Sequence, residues 1–347
     1  MINGEDFKKA VENILRVNLG VKEKESVLII NDIPGMDEWH RPLKDVKDTA
    51  YRSILAREFY KTVLDLLPQN KIDYLLYYTL GMHGAELPEE IQKTLRCYDV
   101  IIGITTYSMS HTIARERACR IGARVASLPG VIPEMFGEGG PFDVDYEALK
   151  TETLKICRLL SEGARVLVTN PGGTELYLNL HGRAAVADTG IIHEKGQWGN
   201  LPGGEACIAP VEGTVFGKLA VSAGWYPGLE ENMVLTFEEG EIIEIQGGGA
   251  VGEYLKKILG LGSQDIKLKR RRNCAEFGIG TNPKARRPDN LLEAEKIRGT
   301  VHIAVGDSSH IGGIITADIH EDFIVDKPDV YIDDVCILKS GKFSWEV

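Results

Sequence analysis

The sequence predicts an α/β amino-terminal domain built on a mostly parallel sheet, followed by a β-rich, barrel-like α+β carboxy-terminal domain. Three observations carry this reading. Apolar strand-like runs alternate with helical segments up to about residue 130. Beyond residue 163 short strand candidates follow one another, separated by Gly, Pro and Asn turns. The chain has 347 residues, which favours two domains over one, and its 38 glycines promise many tight turns. The predicted domains are 1–162 and 163–347.

In chain order, residues 1–20 read as a helix because Phe7, Ala10, Val11, Ile14 and Leu15 recur near a 3.6-residue period. Ser26–Ile30 is a short strand. Residues 44–67 are helical and stop at Leu67-Pro68, since proline cannot continue a helix. Ile72–Tyr78 is a strand, Pro88–Leu95 a short helix, and Asp99–Ile104 a strand whose Val100-Ile101-Ile102 run suits a sheet buried on both faces. A helix at 110–121 and a strand at Val125–Leu128 complete the alternation. A turn-rich break at Gly137–Pro141 precedes a helix from about Asp145 to Glu162.

The second half offers strands at Val166–Val168, Glu175–Leu180, Ala185–Ala187, Val215–Val221, Met233–Phe237 and Ile242–Ile245. One clear helix at about Ala250–Leu259 interrupts them. Strands resume at Val301–Val305, His320–Val325, Val330–Ile332 and Val335–Leu338.

Composition excludes several classes. Hydrophobic residues make up 43% and charged residues 26%, which is ordinary for a globular chain. The net charge of −11 argues against nucleic acid or an anionic membrane as partner, since both attract a basic surface. No uncharged apolar run reaches about 18 residues, and the acidic, polar start Met1–Asp6 lacks the features of a secretory signal. The six scattered cysteines form no C-x-x-C pair, so buried reduced thiols in a cytoplasmic protein are expected.

The chemistry concentrates in the last third. In Ile319-His320-Glu321-Asp322-Phe323, a strand would place His320 and Asp322 on one face, about 6.5–7 Å apart along the chain. Side chains so placed can converge on metal, or simply form a hydrogen-bonded or surface pair. His302, in Val301-His302-Ile303, faces the side opposite its apolar neighbours; it is either a satisfied half-buried histidine or a ligand. Glu276 and Glu205 sit in apolar stretches, where a carboxylate costs several kcal/mol unless it is paired or bound to a cation. Should Glu205, Glu276 and Asp322 converge, their charge of about −3 would be met by about +4 from two divalent ions, leaving charge to acidify a bound water.

These residues lie in Asn200-Leu201-Pro202-Gly203-Gly204-Glu205, Glu276-Phe277-Gly278-Ile279-Gly280-Thr281-Asn282, His302-Ile303-Ala304-Val305-Gly306 and His320-Glu321-Asp322. In order and approximate spacing they resemble the thermophilic aminopeptidase T family of metallo-aminopeptidases. Thr112-Ile113-Ala114-Arg115 and residues 122–130 resemble that family's first domain more loosely. The resemblance implies a hydrolase that removes N-terminal amino acids from peptides by means of a dinuclear metal-activated water. It implies Glu205, Glu276, His302, His320 and Asp322 as ligands of two divalent ions (Zn, Co or Mn), with Glu276 bridging and Glu276 and His302 catalytic. It also implies a homodimer acting on a peptide or small-molecule substrate. The family's tyrosine seven residues after the first histidine is Ser309 here; Ser309 or His310 is a candidate substitute, and a metal-binding relative that has lost catalysis is the alternative.

The resemblance extends to a mononuclear iron enzyme family, the 2,5-dihydroxypyridine 5,6-dioxygenases. His320 and Asp322 would suit Fe(II), which needs few protein ligands and open positions. The aminopeptidase reading ranks first because a bridging Glu276 has more to do between two ions.

Other signals carry less. Gly247–Gly252 fits G-x-G-x-x-G between a strand and a helix, but the surroundings read as antiparallel. The basic run Lys267–Arg272 reads as a solvated face. Ser108, Ser110 and His111 do not form a recognisable nucleophile pair, and no H-E-x-x-H helix is present.

Overall fold

The computed structural model describes residues 3–36, 40 and 43–346. Positions 1 and 2 of the helix expected over 1–20 lie outside them. The chain divides into two compact units. One comprises the residues up to Tyr146 together with Gly190–Gly203; the other comprises Glu147–Thr189 and Gly204–Val347.

The elements run α1 (Gly4–Asn13), β1 (Ser26–Ile33), α2 (Leu43–Leu66), β2 (Lys71–Tyr78), α3 (Glu89–Leu95), β3 (Val100–Gly103), α4 (Ile113–Arg120) and β4 (Arg124–Ser127). Then come α5 (Tyr146–Glu162), β5 (Arg165–Thr169), β6 (Glu175–Asn179), β7 (Val186–Asp188), β8 (Trp198–Asn200) and β9 (Glu205–Ile208). They continue with β10 (Phe216–Val221), β11 (Met233–Glu238), β12 (Glu241–Gly247), α6 (Gly249–Ile258), α7 (Ile266–Arg271), β13 (Cys274–Gly280) and α8 (Leu291–Ala294). The last are β14 (Val301–Gly306), β15 (His320–Val325), β16 (Asp329–Ile332), β17 (Val335–Lys339) and β18 (Lys342–Phe343).

In the first unit, five strands form a sheet in the order β2-β1-β3-β4-β8, and every pairing in it is parallel. Val27–Ile30 and Val100–Ile102 are buried, as the uninterrupted apolar runs require of a sheet covered on both faces. α1 starts where the Asn3 side chain accepts from the Glu5 backbone N–H, with Glu5 and Asp6 favourably placed in its first turn. Its apolar stripe continues as a π-helical turn at Ile14–Asn18. The carboxylate of Asp99 accepts from the Ser26 amide (2.8 Å) and hydroxyl (2.7 Å), tying the start of β1 to the residue before β3.

In the second unit, an eight-stranded sheet (β12-β11-β10-β6-β5-β16-β17-β18) and a five-stranded sheet (β15-β14-β13-β9-β7) pair antiparallel throughout. One apolar cluster joins their faces. Val168, Leu176, Leu219 and Leu235 come from the larger sheet; Ile208, Phe277, Ile303 and Phe323 come from the smaller. Each fully buried side chain of this size stabilises by about 1.5–3 kcal/mol.

The expected barrel is not formed. The eight-stranded sheet ends in β12 and β18, the five-stranded sheet in β15 and β7, and neither pair of edges meets. The strands bury their apolar faces sheet against sheet, which removes the need for closure. Two short helices, α7 and α8, join the single helix expected in this half. No described helix is long and apolar enough to cross a membrane. All six cysteines are unpaired, with Cys119, Cys207 and Cys274 buried.

Candidate metal centre

The five-stranded sheet builds the centre by strand alternation. Residues directly opposite in an antiparallel pair share a face. Glu205 stands opposite Gly280; Cys207 and His302 flank Gly278; Glu276 and Asp322 flank Ala304; His320 stands opposite Gly306. All these positions project to one face. The intervening residues Ala206, Ile208, Phe277, Ile279, Val301, Ile303, Val305, Phe323 and Val325 project to the other and enter the core. The period of two thus sorts the strands into a greasy side and a side of mostly polar or very small residues, with Ile324 opposite His302 as the apolar exception.

The small residues make room. A methyl group on Gly278 would lie 2.0 Å from His302 Nε2, so the imidazole rests directly on the glycine backbone. His302 is completely buried. Its Nε2 is 3.2 Å from Glu276 Oε1 and 3.4 Å from Glu205 Oε2. His320 Nε2 is 3.1 Å from the other Glu276 oxygen and 3.8 Å from Asp322 Oδ1. Glu276 therefore stands between the two imidazoles with one oxygen toward each. His320 Nδ1 lies 2.8 Å from the Asp307 carbonyl, which can only accept. This keeps a proton on Nδ1 and leaves Nε2 toward Glu276, where a protonated ring donates to the carboxylate and a neutral one is free to ligate a metal.

The sequence-predicted residues therefore meet. Glu205, Glu276, His302, His320 and Asp322 form one cluster. His310 joins it: its ring packs edge-on to His320 at 4.9 Å between centroids, and its Nδ1 is 3.0 Å from Asp307 Oδ2. Ser309 Oγ is instead engaged by both Asp307 oxygens at 3.0 Å.

Electrostatics mark the cluster as a place for positive charge. Burial works against a protonated His302, yet Glu276 and Glu205 outweigh it and raise the imidazole to about 9. Burial opposes charge on His320 too, and Asp322 and Glu276 lift it to about 10. Burial disfavours the Glu276 anion, but its bonds to both imidazoles hold its carboxyl well below the usual range. Without another cation the centre holds protons; a metal ion would displace them. The donors fit such an ion. Two imidazoles and several carboxylates are the ligands that divalent transition metals take, and Glu205 Oε2 is buried with no hydrogen-bond partner.

Sequence reasoning missed four neighbours. Cys207 shares the face of Glu205 two residues away, a spacing visible in the sequence once that stretch is read as a strand. Asp188 faces Glu205 across β7 and β9. Glu295 and Lys296 follow α8, and nothing in their local pattern marks a buried lysine. The signals set aside stay aside. Ser110 Oγ is bonded to Asn200 Oδ1 and Ser127 Oγ, while the His111 ring packs on Trp198. β12 pairs antiparallel with β11, so Gly247–Gly252 opens no parallel β-α-β unit.

The chain combines a parallel α/β unit with a β-rich unit that carries a buried histidine–carboxylate cluster able to hold a metal ion, and two solved structures share the fold. The structure of 2,5-dihydroxypyridine dioxygenase from Pseudomonas putida KT2440 superposes with a TM-score of 0.74 at 18% identity, covering 99% of this chain and 98% of that one. Wild-type AmpT from Thermus thermophilus superposes with a TM-score of 0.59 at 16% identity, covering 98% and 99%. In sequence, the 2,5-dihydroxypyridine 5,6-dioxygenase of Pseudomonas putida is 24% identical over 264 residues, 72% of each chain. Residues 7–344 match the 2,5-dihydroxypyridine 5,6-dioxygenase family, NicX, and the chain belongs to it.

This corrects the expected enzyme class. The family and the relative are dioxygenases, so the hydrolase, aminopeptidase and protease assignments are withdrawn. The likeness to AmpT is one of fold. The preference for a peptidase leaned on Glu276 needing two ions. The structure shows that carboxylate standing between two imidazoles with one oxygen toward each, so its burial among apolar strands is compensated without a second ion.

Proposed function

We propose that this protein is an Fe(II)-dependent ring-cleaving dioxygenase acting on dihydroxylated pyridines or closely related N-heteroaromatic rings. Membership of the family over residues 7–344 supports the reaction class. The observation that carries the site is the pair of buried imidazoles whose Nε2 atoms face opposite oxygens of Glu276. His302, His320 and Glu276, with Asp322 beside them, would hold the iron as a compact histidine–carboxylate set that leaves positions open. Iron held by these residues would supply redox-active Lewis-acid chemistry for the reaction of dioxygen with the electron-rich ring. Both oxygen atoms enter the product across the broken ring bond, so no external reductant is consumed.

The chain's own groups set the stage. The Asp307 carbonyl holds the His320 tautomer, and Gly278 seats His302. Glu276 stays ionised because both imidazoles favour its anion. The apolar faces of β13, β14 and β15 back the cluster and keep water from its rear.

The test loads the chain anaerobically with Fe(II) and follows oxygen uptake together with loss of the pyridine absorbance. One iron per chain and one dioxygen per ring consumed are expected, and both are lost in Glu276→Gln and His320→Ala. An iron-loaded protein that takes up no oxygen across a panel of dihydroxypyridines defeats the proposal.

A further inference from the structure

Lys296 has no part in that chemistry, yet it is completely buried. Its Nζ lies 2.5 Å from Glu205 Oε1, 3.0 Å from Glu295 Oε1 and 3.5 Å from Asp188 Oδ2. Burial of an ammonium demands compensation, and these three carboxyl groups stand within ion-pair distance to supply it. The backbone fixes its place: the Lys296 carbonyl accepts from Asn282 N at 2.9 Å, just past β13.

A second observation explains why a cation is needed there. Asp188 and Glu205 are directly opposite each other on β7 and β9. Like charges at such a pair destabilise a sheet, and burial magnifies the effect. Three carboxylate oxygens around one point are also the donor set that hard divalent ions take. A lysine and a metal ion are thus alternative answers to the same electrostatic demand.

We infer that Lys296 is a resident cation of the centre: its ammonium fills a cation position formed by Asp188, Glu205 and Glu295, and so confines the exogenous ion to the side of Glu276 and His320. By holding Glu205 Oε1, it also leaves Oε2 directed at His302 Nε2, 3.4 Å away. Lys296 is a positioning residue, acting through Glu205. The inference rests on the metal-centre reading for the neighbouring site, but its test is a difference between two proteins.

The experiment strips native protein, Lys296→Met and Lys296→Arg with chelator and dialyses each against Mn(II). Bound manganese per chain is then counted by elemental analysis and by Mn(II) electron paramagnetic resonance. Lys296→Met should bind one ion more than native, and Lys296→Arg the same number as native. Adding Glu205→Gln to Lys296→Met should remove the extra ion. Equal manganese in native and Lys296→Met overturns the inference. So does a Lys296→Met chain that fails to fold with and without Mn(II), because the ion should replace the ammonium. A Lys296→Met chain that folds only with Mn(II) supports it. Native protein that binds no manganese or iron would defeat the metal-centre proposal, while an ion gained by Lys296→Met would still uphold the role of Lys296.

Discussion

Replacing Gly278 with alanine should damage the centre through a single methyl group. The new Cβ would lie 2.0 Å from His302 Nε2, 2.1 Å from Cε1 and 2.8 Å from Cδ2. Carbon–nitrogen contacts below 3.0 Å essentially do not occur, so the ring must retreat by about 1 Å at least. It has no slack to do so, because His302 is fully buried and its Nε2 already faces Glu276 at 3.2 Å. Overpacking of this kind costs about 1–3 kcal/mol of stability. Displacement of a reacting group by about 1 Å lowers turnover by about 100-fold. Metal affinity should fall by about 10–100-fold, the range seen when ligand orientation is disturbed. Urea denaturation of the metal-free protein reads the first effect, and chelator competition with Co(II) reads the last. If Gly278→Ala loses stability but binds Co(II) as tightly as native protein, His302 is not a ligand. If it loses neither, the close contact at Gly278 is wrong.

Saturating Fe(II) or Co(II) should stabilise the native chain by about 2.7 kcal/mol at a hundredfold excess over the dissociation constant, and Glu276→Gln should abolish most of that gain; differential scanning fluorimetry with and without metal checks both. Asp99 is held below the ordinary aspartate value of 3.8, first by the Ser26 amide and then by its hydroxyl. A depressed folded value means the contribution is present above 3.8 and disappears as pH falls through the folded value. The urea midpoint of Asp99→Ala should therefore trail the native one by a constant margin from neutral pH down to about pH 5, and the two should converge in stronger acid. A margin that persists at low pH would show that the carboxylate's charge is not what ties β1 to β3.

The legibility of the site follows from the length scale of each signal. His320 and Asp322 were readable as partners because i and i+2 on a strand share a face, and they do so on β15. His302 could be assigned a face opposite Val301 and Ile303 by the same rule, and those two neighbours are in the core. Glu205 and Glu276 stood out because carboxylates in apolar runs need a partner. What pairs with what was not readable. Glu205 meets Gly280 and Gly278 meets His302 through register between strands dozens of residues apart. β8 has three residues and no apolar pattern, and only its parallel pairing with β4 makes it a strand.

The chain by itself determined the local alternation: which residues can face a core, where helices start, and which polar side chains sit in places that demand compensation. Tertiary structure decided the compensation. Two open sheets rather than a barrel, a glycine under His302, and an ammonium from a loop after α8 beside Glu205 all depend on contacts whose sequence separation leaves no periodic trace. Burial and like-charge repulsion are properties of neighbours in space, and the fold alone supplies those neighbours.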